Sequence, residues 1–221
     1  MTSTTDTQLN PVETRPSQRG EPTWELAELY PKQGDWTEDA YLALDTNRLI
    51  ELSQGCLVFL PMPTIFHQLI VEFLYASLKA FVVERNVGRV FFAPLRVRMW
   101  PGEIREPDVV FLRPDRIVNV HRPPRGADLV MEVVSPGDQN SERDWETKRQ
   151  VYAEARLPEY WIVDPQRRVI SVQKLVGDTY EEHGEYRPGQ IAESVTLDGF
   201  QIAVSDVFAA GEIEQSGAED S

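Results

Sequence analysis

Asp128-Leu129-Val130-Met131-Glu132-Val133-Val134 decides how this chain is to be read. The run is apolar without alternation, which marks a strand covered on both faces. Glu132 stands in its middle, where a carboxylate requires a partner. Upstream, Glu106-Pro107-Asp108 opens a second apolar run, Val109-Val110-Phe111-Leu112. Downstream, Ser141 is placed to cap a helix beginning at Glu142. Trp145, Lys148, Tyr152 and Ala155 then recur at spacings of three and four, so they share one face of that helix and Lys148 lies on its inward stripe.

Each charged residue has an ordinary structural explanation. An Asp after Pro commonly serves a turn, a Glu in a core strand is satisfied by a structural ion pair, and a lysine on an inward stripe snorkels its ammonium to water. Together they suit a specific chemistry. An acid at a strand start, an acid inside the next core strand and a lysine on the following helix converge if they meet at one sheet edge. Hard divalent ions such as Mg²⁺ take oxygen ligands, commonly one or two carboxylates plus waters and phosphate oxygens. Such an ion polarises a phosphodiester and acidifies a bound water, while an ammonium orients that water or stabilises the developing charge. The expectation from these residues is phosphodiester hydrolysis.

The same segments carry a resemblance. Glu106-Pro107-Asp108-Val109-Val110-Phe111, Leu129-Val130-Met131-Glu132-Val133-Val134-Ser135-Pro136, Asp144 with Lys148 and Tyr152, and Pro158-Glu159-Tyr160-Trp161-Ile162-Val163-Asp164-Pro165 closely resemble the Uma family of restriction-type endonucleases, which is placed in the PD-(D/E)XK nuclease superfamily. The similar region runs from about Trp36 to Val207. It implies a restriction-endonuclease-like α/β core, DNA as substrate and Mg²⁺ or Mn²⁺ as cofactor. Asp108, Glu132 and Lys148 become the expected catalytic residues, and Asp108, Glu132 and the backbone carbonyl of Val133 the expected metal ligands. One departure stands out: the superfamily lysine normally lies two residues after the second acid, where this chain has Val134, and Lys148 matches the relocated lysine of the family. Many superfamily nucleases are dimers, which makes a homodimer a further expectation. A catalytically silent binding module with the same fold, and hydrolysis of RNA or another phosphate ester, are the competing readings.

Composition bounds these alternatives. A chain of 221 residues with 41% hydrophobic and 26% charged residues suits one globular domain. Cys56 is the only cysteine, and His67, His121 and His183 lack zinc-like spacing. The start of the chain lacks a signal peptide pattern and no apolar run reaches bilayer length, so a cytoplasmic protein is expected. A formal charge of −14 opposes nucleic-acid binding, since Lys and Arg contacts to phosphate supply most non-specific affinity. Arginines nevertheless gather at 96 and 98, 113 and 116, 122 and 125, and 143 and 149, and could line one cleft.

The chain divides into an expected disordered leader at 1–20, an arm at 21–35, the nuclease-like domain at 36–207 and an acidic disordered tail at 208–221. Thr37 caps a short helix through about Leu44. Two apolar runs, 48–52 and 56–60, flank Gln54-Gly55 as a hairpin, in place of the family's usual Asp-Gly. Glu51 alternates out of that hairpin, where it either reaches the site or faces water, and water is the expectation. Thr64 caps a helix over 64–83 with Phe66, Ile70, Leu74, Leu78 and Phe81 on one stripe, and His67 in its first turn is expected to be a surface histidine. Strands are expected at 90–99, 108–112, 130–134 and 160–164, a helix at 142–155, a hairpin from 160–163 into 169–172, and strand-like pieces near Ile191 and Gln201. The predicted class is α/β, a central mixed β-sheet flanked by helices.

Overall fold

The structure, a computed structural model, describes residues 29–46, 48–135 and 143–212. The leader, most of the arm, Ser141, most of the acidic tail and the side chains of Arg143 and Asp144 lie outside the described residues. Residues 1–32 and 33–221 form two separate units; the fold below is that of the second.

Its strands are β1 (Ile50–Ser53), β2 (Cys56–Phe59), β3 (Arg89–Phe92), β4 (Val97–Trp100), β5 (Glu103–Arg105), β6 (Val109–Leu112), β7 (Leu129–Val133), β8 (Glu159–Asp164), β9 (Val169–Val176), β10 (Thr179–Tyr186), β11 (Ile191–Glu193) and β12 (Gln201–Ala203). The helices are α1 (Glu38–Leu42), α2 (Ile65–Arg85), α3 (Lys148–Glu154) and α4 (Val204–Gly211). A central six-stranded sheet has the order β10-β9-β8-β7-β6-β3, a four-stranded sheet the order β2-β1-β5-β4, and β11 pairs β12. In the central sheet only β7 and β8 run parallel, and the chain between them carries a π-helical turn, Arg143–Thr147, leading into α3. A parallel pair needs such a crossover, because a tight turn returns the chain antiparallel.

The sheet is covered on both faces, which explains its unbroken apolar strands. Val109, Phe111, Leu129, Met131, Val133, Trp161 and Val163 join a core with Ile70, Leu74 and Leu78 of α2 and Phe208 of α4. The alternate residues Val110, Leu112, Val130, Tyr160 and Ile162 pack with Tyr152, Ala153 and Leu157 of and beyond α3. Position 132 has the parity of the second set, so strand geometry alone aims Glu132 at α3.

Several expectations are revised. The expected strand 90–99 is two strands in different sheets, divided at Pro94, whose missing N–H cannot continue a ladder. Helix α2 extends to Arg85 and is closed by Asn86 in the left-handed conformation, φ 53°. It is long and apolar enough to match a membrane span by length and composition, contrary to the expectation that no run would be, yet here its buried stripe packs on the sheet. Phe66, expected on that stripe, is half exposed in the first turn. Strands β5 and β10 were not foreseen: β5 has three residues, and β10 reads as polar because its place at the sheet edge leaves most of its side chains in water.

The β1–β2 hairpin pairs Ser53 with Cys56 across the two-residue loop Gln54-Gly55. Both loop residues have positive φ, 49° and 75°, the signature of a type I′ turn. A Cβ on Gly55 would collide with the backbone carbonyl of Gly34, so this glycine is required by space as well as by conformation.

Candidate active site

Asp108 sits immediately before β6, where its Oδ2 accepts the Val133 backbone N–H at 2.8 Å. The bond fixes the first acid to the end of the strand that bears the second. Upstream, the Glu106 N–H donates to Glu51 Oε1 at 3.2 Å, so the Glu-Pro-Asp turn is held at both ends. Glu132 is 2% exposed and receives two donors from the crossover helix: Lys148 Nζ lies 2.7 Å from Oε2, and the Tyr152 hydroxyl donates to Oε1 at 2.5 Å. Lys148 itself is buried, so it does not snorkel. Asp108, Glu132, Val133 and Lys148 line one small cavity of about 40 Å³, closed on other sides by Leu49, Leu60, Pro61 and Pro63.

His67 completes this wall. Its Nε2 lies 3.1 Å from the Val133 carbonyl and 3.3 Å from Asp108 Oδ2. Both neighbours are acceptors, so Nε2 carries a hydrogen. The expectation of a surface histidine is corrected: Thr64 caps α2 by accepting the His67 N–H at 3.2 Å, and this orientation turns the ring inward, leaving it buried. A histidine three residues after a helix cap was the only trace of this in the sequence, and it could not reveal that the Val133 carbonyl waits opposite. Glu51 is corrected likewise. It is fully buried, 2.9 Å from Arg105 Nη1, and supports the Glu106 backbone instead of facing water.

The electrostatics follow from these contacts. Burial alone would raise the Asp108 pKa, but the hydrogen bond and charge of His67, the Lys148 charge and the Val133 N–H together lower it. Burial disfavours the His67 cation, yet Asp108, the Val133 carbonyl and the Glu132 charge together outweigh it and raise the imidazole pKa. Glu106 is raised chiefly by burial, with Arg96 opposing. Tyr152 is pushed far up by burial and then by the neighbouring Glu132 charge, so it remains a hydroxyl donor.

These residues fit a divalent ion of the open kind. Among the described residues no group of three His, Cys, Asp or Glu side chains forms a ligand set, which excludes a closed cage of side chains from that part of the chain. Two carboxylates and a main-chain carbonyl on one cavity are the donor set Mg²⁺ or Mn²⁺ uses when water and phosphate oxygens complete the shell. The carbonyl of Val133 has a second lone pair beyond the one facing His67.

Two other acids of the signature segments serve the fold. Glu159 accepts from Trp161 Nε1, the Ser194 hydroxyl and the Thr196 N–H at 2.5, 2.8 and 2.6 Å. Asp164 accepts the Gln166 and Arg167 N–H groups at 3.0 Å each, shaping the β8–β9 turn. Among the described residues, these arginines do not all line one cleft. Arg98 pairs with Glu38, Arg113 and Arg116 with Asp128, and Arg149 binds Gln173, whereas Arg96 and Arg122 border a shared cleft.

A mixed sheet with helices on its faces, carrying acids on two adjacent strands and a lysine on the crossover helix, defines a restriction-endonuclease-like α/β fold. A crystal structure described as "a putative nuclease belonging to DUF820 from Anabaena variabilis" is similar to it with a TM-score of 0.67 and 18% identity, over 80% of this chain and 99% of that one. The family model Uma2, "Putative restriction endonuclease", matches residues 38–205, and this chain belongs to that family of nucleases. No curated protein matches the sequence.

Proposed function

We propose that this protein is a DNA endonuclease dependent on Mg²⁺ or Mn²⁺. The observation that supports it is the convergence of Asp108, Glu132, the Val133 carbonyl and Lys148 on one cavity. Asp108, Glu132 and the Val133 carbonyl would hold the ion, which when bound supplies a polarised phosphodiester and a water of lowered pKa. Asp108 is presented in one orientation by the Val133 N–H and His67, and Glu132 by Tyr152 and Lys148. The Lys148 ammonium, next to Glu132, orients the attacking water and stabilises charge building on the phosphoryl oxygens. Leu60, Pro61 and Pro63 supply the apolar part of this wall.

The test is nicking of supercoiled plasmid in Mg²⁺ by the wild type, Asp108→Ala and Lys148→Ala, each shown to be folded by circular dichroism. Loss of a preorganised charged group costs on the order of 10²–10³ in rate, so both variants should be nearly inert. Equal cleavage by all three proteins defeats the assignment. The buried Lys148–Glu132 pair at 2.7 Å also suits a binding module without hydrolysis; a wild type that binds DNA and leaves it intact under all divalent ions selects that reading.

A further inference from the structure

A second cleft, of about 720 Å³, adjoins the small cavity and shares Leu49 and Glu106 with it as a common wall. Arg48, Arg96 and Arg122 line it, against the acids Asp39 and Glu106. This local excess of positive charge stands out in a chain with 36 acidic and 22 basic residues. Most described arginines are consumed by ion pairs, among them Arg98, Arg105, Arg113, Arg116 and Arg168. Among the described residues, Arg48 and Arg122 have no carboxylate within ion-pair reach, and both border this cleft. Arg96 is anchored differently: its guanidinium stacks 4.6 Å from the Tyr41 ring centre and its Nε lies 3.4 Å from Glu106 Oε1.

We propose that this cleft holds an unpaired nucleic-acid strand flanking the phosphate to be cut, with Arg48 and Arg122 on its phosphates, so that single strands and flaps are preferred over duplex. The inference rests on the small cavity being the cutting site. Size separates the two substrates. The cleft has the volume of a small-ligand pocket, roughly 300–1,000 Å³, room for a short piece of one strand and not for both strands of a duplex. A single strand needs cations spaced along one backbone and apolar faces for its bases. Leu42, Leu95, Val120 and Pro123 provide the latter. Guanidinium groups without carboxylate partners are free to exchange counterions for phosphates, which overcomes the unfavourable field of a −14 chain only locally.

The full-length protein, in EDTA to prevent cutting, is titrated into fluorescein-labelled single-stranded DNA, the same sequence in RNA, and the DNA duplex, with anisotropy read over a range of salt. The wild type should bind at least one single strand more tightly than duplex, and the DNA and RNA arms identify which sugar is preferred. The charge reversal Arg48→Glu/Arg122→Glu should weaken single-strand binding at least 10-fold. It should also reduce the salt slope by about 1.4, two contacts at roughly 0.7 each. Arg156→Glu/Arg187→Glu, a change of equal charge elsewhere, should have a much smaller effect. Duplex bound as tightly as single strands, equal losses in the two double variants, or no binding by the wild type each overturn the proposal. Plasmid nicking that survives with Arg48 and Arg122 irrelevant to binding would sink the cleft and spare the nuclease reading. Arginine-dependent single-strand binding without cleavage would do the reverse.

Discussion

Lys148 Nζ and Glu132 Oε2 lie 2.7 Å apart, both in side chains at most 3% exposed, so the central charges of the candidate site are also a buried ion pair of the core. Removing one member strips the other of its nearest opposite charge, and breaking a buried pair in this way costs about 3–5 kcal/mol. Lys148→Ala should therefore lower the urea midpoint as well as activity. The double variant Glu132→Gln/Lys148→Met should recover much of the stability and none of the activity, which separates the two roles.

Tyr152→Phe deletes the hydroxyl that donates to Glu132 at 2.5 Å and nothing else of size. A hydrogen bond to a charged group contributes about 1.5–3 kcal/mol. Chemical denaturation should show a loss in that range, with the ring still packed on Tyr160 at 5.0 Å between centroids.

His67→Leu fills the space of the imidazole but leaves the Val133 carbonyl without the donor that lies 3.1 Å away. An unsatisfied buried acceptor costs about 1–3 kcal/mol. His67→Gln, which offers an amide donor, should recover part of that loss; equal stability of the two variants in thermal melts would show that the contact contributes nothing.

Addition of Mn²⁺ to the isotopically labelled protein should broaden the NMR signals of His67, Ala93 and Val133, which border the small cavity with Asp108 and Glu132. Asp108→Asn should abolish the broadening at those positions. Broadening confined to the acidic surface would place the ion elsewhere.

At the β1–β2 turn, Gln54 adopts φ 49°, which a residue other than glycine or asparagine does at a cost. Gln54→Asn should raise stability by up to about 1 kcal/mol, part of the roughly 1–2 kcal/mol that the left-handed conformation costs other residues. Gly55→Ala should lower it by more than that, because the added Cβ meets the Gly34 backbone. Calorimetric melting of the two variants checks both signs.

Much of the central sheet was legible because its strands are covered on both faces and read as continuous apolar runs: Val109–Leu112, Leu129–Val133 and Glu159–Asp164 all fall within a residue or so of expectation. Glu132 and Lys148 were legible as misfits, since a charge inside a run or on an inward stripe demands compensation. His67 and Glu51 were not. Among their partners are the Val133 carbonyl and the Glu106 N–H, backbone atoms 66 and 55 residues away, and main-chain groups leave no mark in sequence. Arg48 escaped for a related reason: it looks like any solvated arginine until the fold sets it beside the cleft that Arg122, singled out from the sequence, also borders.

Val133 serves two masters through different atoms. Its isopropyl group belongs to the core that the sheet shares with α2, while its N–H and C=O engage Asp108 and His67. Evolution can therefore retune the interior at this position, exchanging valine for isoleucine for example, without rewriting the chemistry next door. What natural variation cannot easily discard there is the peptide unit itself: proline, lacking the N–H, would detach the first acid from the second in a single step.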